Sequence, residues 1–249
     1  SDMVPSLAAR VKHTLGIKNN FCVAYDVLFG CPGWIEGVIQ ANAFIKAGIA
    51  KRCLVIGGET LSRVVDIHDR DSMIYADGAG AVVLEVGNDD GVGIKSHLSA
   101  SYTFKEKDYL YFGKTYNTDG CPDTKFIKMD GRKIYEFALL NVPDAMKKCL
   151  DNSGYSINQL SKIIIHQANE KMDEAIVNRF YQLYDTPVPE NIMPMVISKL
   201  GNSSVATIPS LLTMILNGEL EKHSIQKGDV VLFASVGAGM NINAFVYQF

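Results

Sequence analysis

The chain has no long apolar run: nothing in its 249 residues approaches the ~20 apolar residues needed to span a bilayer. Neither sign of charge dominates. Against 24 Lys and Arg stand 27 Asp and Glu, so the net charge of −3 leaves no electrostatic footprint for nucleic acid. No secretory signal pattern opens the sequence, and no low-complexity linker interrupts it. The five cysteines, Cys22, Cys31, Cys53, Cys121 and Cys149, show no metal-ligand spacing. They are odd in number and two lie in apolar strands, which predicts a reducing, cytoplasmic setting without a metal. What is present is 47% apolar content, ample core for one large domain or two halves sharing a sheet system.

Cys31 stands in Phe29-Gly30-Cys31-Pro32-Gly33-Trp34, between two patterned stretches. The apolar run Phe21 to Phe29 predicts a strand. The stretch from Pro32 to Gly48, with Trp34, Ile35, Val38, Ile39, Phe44 and Ile45, predicts a helix. Pro at a first helical position is preorganised and Gly48 is a good terminator. Cys31 is therefore expected on a tight strand-to-helix turn at the positive end of a helix, where thiolate is favoured over thiol. A buried structural cysteine in a small-residue turn is the bland alternative.

Two blocks of the sequence share one pattern. The first runs from Cys31 through its helix to the strand Arg52–Gly58, then Gly78-Ala79-Gly80 and the strand Ala81–Val86. The second runs from Asn202 through a helix, Ser204 to Asn217, to the strand Asp229–Ala234, then Gly237-Ala238-Gly239 and a last strand, Ile242 to Phe249. The duplication places Cys31 and Asn202 at equivalent helix starts. Ahead of Asn202 lie a helix (Gly131 to Asn152), a strand (Lys162 to His166) and another helix (Glu170 to Tyr184). Ahead of Cys31 there is one helix, Pro5 to Leu15, and one strand, so the pattern predicts an N-terminally incomplete chain. The expected division is an incomplete first half at 1–95, a connecting insert at 96–130, and a second half at 131–249. The loop-like character of the insert rests on Ser96 to Asp130, rich in Tyr, Lys, Asp and Gly.

His166 ends the apolar run Ile163-Ile164-Ile165 and opens His166-Gln167-Ala168-Asn169. Strand ends of this kind are where α/β proteins gather active-site groups, although a lone histidine there is more often structural. In Leu200-Gly201-Asn202-Ser203-Ser204 the polar residues also suit a plain helix cap.

Six segments in this order resemble the β-ketoacyl-[acyl carrier protein] synthase III family of the thiolase superfamily. They are the Pro5–Ile17 region, Phe29-Gly30-Cys31-Pro32-Gly33, Asp69-Arg70 with Tyr75-Ala76-Asp77-Gly78-Ala79-Gly80-Ala81, Met129–Tyr135, His166-Gln167-Ala168-Asn169, and Gly201-Asn202-Ser203-Ser204. The resemblance covers essentially the whole chain. It implies a layered α-β-α-β-α fold of two pseudo-repeated halves, with helices between two sheets. It implies a catalytic triad of Cys31, His166 and Asn202. Cys31 would attack an acyl-CoA and hold the acyl group as a thioester. A malonyl group on acyl carrier protein would then lose CO2, with His166 and Asn202 as neutral donors to the enolate oxygen. The backbone amides of Cys31 and Ala238 are the expected oxyanion hole; relatives usually have Gly at the latter position. Arg70, Asn169, Lys171 and Trp34 are expected at the CoA or carrier side. A homodimer joined at the Phe21–Phe29 strand is implied, and no cofactor.

Other readings are weaker. A degradative thiolase needs a second cysteine in the C-terminal glycine turn, and Ser235-Val236-Gly237-Ala238-Gly239-Met240 has none. The Gly-Phe-Gly-Pro-Gly turn usual in plant-type polyketide synthases is absent. A relative transferring the acyl group to oxygen or nitrogen would keep Cys31 and His166, and an inactive partner form would have lost the cysteine.

Overall fold

Ile163, Ile164 and Ile165 sit on one strand, β6 (Leu160–Ile165), and point alternately into two separate cores. Successive strand side chains face opposite ways, so an unbroken apolar run requires cover on both faces. In this computed structural model, which describes residues 4–87, 91–117, 119 and 123–249, that cover is two layers of helices. The sheet order is β3 (Gly93–Ser101), β8 (Asn241–Gln248), β7 (Val230–Gly237), β6, with only β6 and β7 parallel. On its outer face pack α3 (Gly131–Ser153) and α4 (Glu170–Gln182), over Ile163, Ile165, Leu232 and Ile242. On its inner face lie α2 (Gly33–Lys46) and α5 (Thr207–Leu216), over Ile164, Val231, Phe233 and Phe245. Beyond α2 and α5 comes a second, antiparallel sheet of β1 (Arg52–Thr60) and β2 (Asp77–Glu85). Helices thus lie between two sheets, as expected.

The approach of these layers is set by small residues. A Cβ on Gly57 of β1 would stand 2.6 Å from the Val205 carbonyl oxygen. Only glycine there lets the segment after Asn202 lie directly on the sheet.

Two expectations differ from the structure. The described part of 96–130 is not all loop: β3 joins the four-stranded sheet, and β4 (Leu110–Lys114) pairs with β5 (Lys125–Met129). The β3 sequence, Gly-Ile-Lys-Ser-His-Leu-Ser-Ala-Ser, has little strand propensity, and pairing with β8 decides its state. The β4–β5 pair is held by buried Lys128, whose Nζ donates to Asp66 at 2.6 Å and Asp69 at 2.9 Å. Burial alone would raise the Asp66 carboxyl, yet Lys128 and the Tyr116 and His68 amides hold it well below the carboxylate range.

The second difference is the run from Phe21 to Phe29. It is not a strand of this chain, because no described residue offers it a ladder partner. Phe21 is 92% and Leu28 93% exposed. The Asp26 carboxylate instead accepts the Leu7 and Ala8 amides, both at 2.8 Å, at the start of α1 (Leu7–Thr14). Apolar side chains supply a reason to pair; the hydrogen-bond partner has to come from elsewhere.

Candidate active site

Cys31 occupies a turn closed by the Gly33 amide on the Gly30 carbonyl at 2.8 Å. Pro32 follows as the N-cap of α2. The end of β7 lies against this turn. A Cβ on Gly237 would stand 2.8 Å from the Cys31 nitrogen and 2.7 Å from Pro32 Cδ. Gly237 is extended, at φ −168°, so close approach and not backbone freedom requires glycine here.

His166 arrives from the parallel neighbour. Its amide donates to the Ala234 carbonyl at 2.9 Å, which places it beside the same end of β7. Asn202 arrives between two backbone bonds, its amide to the Ile74 carbonyl at 2.7 Å and its carbonyl from the Ala76 amide at 2.9 Å. The glycine before it, at φ +68° and ψ −172°, makes the bend that L side chains avoid.

One short segment ties the three together. The Asn202 Oδ1 accepts the Ser204 amide at 2.9 Å. The Ser204 hydroxyl donates to Cys31 Sγ at 3.3 Å. Thr207 Oγ1 donates to the Ser204 carbonyl at 3.0 Å and lies 2.7 Å from His166 Nδ1. Because Oδ1 is committed to Ser204, the Asn202 amide orientation is fixed and its Nδ2 hydrogens face away from the cap. Asn202 therefore serves as a local cap and still offers a donor.

The electrostatics correct one expectation. Cys31 is not an activated thiolate at rest: burial pushes its thiol up, the Ser204 hydroxyl offsets part of this, and the Glu59 charge adds to the rise. The helix begins two residues later, at Gly33, so the dipole does not outweigh desolvation. Burial also lowers His166, to about 4, so the imidazole is neutral at pH 7. At pH 7 the pair is therefore a thiol and a neutral imidazole.

The backbone at Ala238 does not need the glycine that relatives usually carry. The positive φ values in its turn belong to Gly239 and Met240, so alanine costs nothing at 238. Its nitrogen lies 3.1 Å from where a Gly30 Cβ would stand, and Asn241 Nδ2 holds its carbonyl at 2.7 Å.

The outer residues divide. Arg70 and Lys171 are exposed, as a carrier- or CoA-side contact requires. Asn169 is exposed too, with Oδ1 accepting the Met172 amide at 3.2 Å as the N-cap of α4. Trp34 is a correction: it is 2% exposed, with its ring centroid 6.3 Å from both Phe233 and Phe245. It follows the nucleophile on the inward face of α2, and so packs the core instead of meeting CoA. Of the cysteines, Cys22, Cys31, Cys53 and Cys149 are free, and Cys121 lies outside the described residues.

Reading the residues alone missed the working parts of Ser204 and Thr207. Their three-residue spacing puts both on one side of a helical turn, which was the available signal.

A half-buried cysteine, a neutral histidine and an asparagine side chain, tied together where two sheets meet through central helices, are the arrangement of an acyltransferase of the condensing type. Residues 25–101 match the model of the 3-oxoacyl-[acyl-carrier-protein (ACP)] synthase III family, and residues 150–249 match that family's C-terminal model. The chain belongs to that family and has its thiolase-like fold. It is 32% identical to the beta-ketoacyl-[acyl-carrier-protein] synthase III of Bartonella henselae, over 98% of this chain and 72% of the relative. It is also 32% identical to that of Erythrobacter litoralis, over 98% and 73%. Among solved structures, the Thermus thermophilus enzyme superposes with a TM-score of 0.86 at 30% identity, covering 99% of this chain and 73% of that one.

Proposed function

We propose that this chain joins an acyl-CoA primer to a malonyl group on acyl carrier protein, with loss of CO2, to initiate fatty-acid synthesis through acyl-Cys31. The observation that carries this is the segment from Asn202 to Thr207, which bonds to Cys31 and His166 at once. Cys31 sulfur attacks the thioester carbonyl as its proton passes to the neutral His166. The leaving CoA sulfur takes up a proton, and the acyl group stays on Cys31. The Cys31 and Ala238 amides hold the tetrahedral oxyanion. In the second step the malonyl carboxylate leaves as CO2, and the neutral His166 ring and the Asn202 Nδ2 both donate to the enolate oxygen. The carbanion then attacks the acyl-Cys31 carbonyl, the carbon–sulfur bond breaks, and the released Cys31 sulfur takes a proton from water to return to the thiol.

Arg70, Lys171 and Asn169 serve the CoA and carrier side. A cytoplasmic setting suits four free thiols. A homodimer is supported by the exposed apolar run from Phe21 to Phe29, whose backbone has no ladder partner among the described residues. Light scattering at micromolar concentration tests it, and a monomer would count against it.

The functional test is intact mass after incubation with a panel of acyl-CoAs, followed by digestion. Acyl mass on the Cys31 peptide is expected, with none in Cys31→Ala. Acylation elsewhere, or none with any primer, would overturn the reading.

A further inference from the structure

We infer that Asn241 is a positioning residue: backed by Ser101, its side chain holds the turn 238–240 so that the Ala238 amide stays beside the Cys31 amide. That the two amides receive the oxyanion rests on the function proposed above; the brace on the turn does not.

The turn depends on contacts from outside it. It joins β7 to β8 through Gly239 at φ +74° and Met240 at φ +47°. Two successive left-handed residues, one of them a methionine, persist only where their surroundings fix them. The Asn241 Nδ2 donates to the Ala238 carbonyl at 2.7 Å. A Cβ on Gly239 would stand 2.9 Å from the same Nδ2, so the side-chain amide lies directly against the turn backbone. The Tyr102 amide donates to the Met240 carbonyl at 3.1 Å.

The direction of the central bond follows from its chemistry. A backbone carbonyl only accepts, so the Asn241 atom facing it is the nitrogen. The Oδ1 then faces the other way and accepts the Ser101 hydroxyl. Ser101 and Asn241 are register partners on β3 and β8. Two residues along the same face, Ser99 and Asn243 form the next such pair. The Asn243 Nδ2 donates to Ser99 Oγ and to Glu36 Oε2, both at 2.7 Å. Glu36 lies in the first turn of α2. One face of β8 therefore holds the turn through Asn241 and the nucleophile helix through Asn243.

What the brace positions is a small space. The Cys31 nitrogen lies 2.8 Å from where a Gly237 Cβ would stand, and Ala238 is the next residue. The Ala238 nitrogen lies 3.1 Å from where a Gly30 Cβ would stand, against the nucleophile turn. Gly237 is held by its ladder pairing with Asn241, and the Ala238 carbonyl by the Asn241 side chain. One residue thus fixes both peptide planes that flank the Ala238 Cα, and with them the direction of its amide. A displacement of about 1 Å is enough to cost a preorganised donor much of its effect.

The test compares the full chain with two variants. Asn241→Asp keeps the size of the side chain but turns an oxygen toward the Ala238 carbonyl. Ser101→Ala removes the hydroxyl behind it. Hydrogen exchange read by mass spectrometry on peptides spanning 236–242 reports the brace without any substrate. Asn241→Asp should exchange about tenfold faster there, the worth of one hydrogen bond, with peptides from α3, α4 and β6 unchanged. Ser101→Ala should shift exchange in the same direction by less. Infrared difference spectra of the acyl-enzyme, prepared with 12C- and 13C-carbonyl acyl-CoA, report the oxyanion site. The parent carbonyl should absorb below that of free acyl-CoA, and Asn241→Asp should move it back toward the free value. The maximal single-turnover acylation rate should fall about 10–100-fold, with the half-saturating acyl-CoA concentration within about twofold of the parent's. Parent-like exchange in Asn241→Asp, or a parent-like carbonyl frequency and maximal rate, overturns the inference. If Asn241→Asp fails to fold, Ser101→Ala decides it, and parent-like exchange and rate there overturn it. If no acyl-CoA acylates the parent, the functional reading fails, and exchange still decides the brace.

Discussion

The Ser204 hydroxyl reaches the Cys31 sulfur at 3.3 Å from a backbone held at φ +52°. Serine in the left-handed region costs about 1 kcal/mol or more. The strain sits where one residue must present its amide to Asn202, its carbonyl to Thr207 and its hydroxyl to Cys31. Stability and activity are therefore predicted to separate. Ser204→Gly relieves the backbone and should unfold within about 1 kcal/mol of the parent. The same change removes the hydroxyl, raises the Cys31 thiol further and should slow acylation about tenfold, the usual worth of one lost hydrogen bond. Urea unfolding and single-turnover acylation on one preparation check it; equal losses in both would contradict the assignment.

Gly237 and Ala238 are neighbours with opposite tolerance. Gly237→Ala drives a Cβ into the Cys31 amide and Pro32, neither of which can swing aside. A destabilisation of about 1–3 kcal/mol is expected, with acylation lost at temperatures where the fold survives. Ala238→Gly should leave the oxyanion hole intact, because 238 does not sit at positive φ. Melting curves and acylation rates of the pair provide the comparison.

The contact of Asn202 Oδ1 with the Ser204 amide can be separated from the donor role proposed for its Nδ2. Asn202→Asp keeps the oxygen that accepts the Ser204 amide but replaces the donor with an acceptor. Asn202→Ser keeps a capping hydroxyl that is too short to reach the enolate oxygen. Both should fold and acylate, and both should lose about 10²–10³-fold in malonyl decarboxylation and condensation, the usual cost of a missing preorganised donor. Unchanged condensation would return Asn202 to a purely structural role.

His166 makes the fold sensitive to mild acid. Its folded pKa of about 4 lies below its ordinary value of 6.5. Between those values the unfolded chain binds a proton that the native ring refuses. Stability therefore falls as pH drops from 6.5 toward 4, by up to about 3 kcal/mol across the window. His166→Gln removes that component. Urea midpoints at pH 7 and pH 5 should converge in the variant relative to the parent.

Asp173 gives the opposite sign. It is 1% exposed on α4, and burial pushes its carboxyl well above the usual range. The nearby Asn169 and Ala168 amides offset part of that, without a hydrogen bond of ordinary geometry. The native state holds a proton that the unfolded chain releases, so stability falls as pH rises from the carboxylate range to Asp173's own raised value. Asp173→Val should stabilise the protein by about 1–3 kcal/mol at pH 7, with a smaller gain at pH 4. Thermal melts at the two values measure it, and a destabilised variant at pH 7 would show that the carboxyl has a partner.

Local pattern carried much of this protein. The apolar run at 163–165, the helices after Pro32 and Asn169, and the cysteine, histidine and asparagine at element ends were all legible, because side-chain periodicity and caps act over a few residues. Only tertiary structure decided what depends on a distant partner. The polar stretch at 93–101 became a strand because β8 lies beside it, while the apolar stretch at 21–29 did not because nothing described pairs with it. Trp34 went to the core by the face of its helix. The state of Cys31 was decided by desolvation, which opposes and here exceeds the helix-start effect. The hydroxyls of Ser204 and Thr207 gained their roles from atoms 173 and 41 residues away in sequence, across contacts that no local pattern encodes.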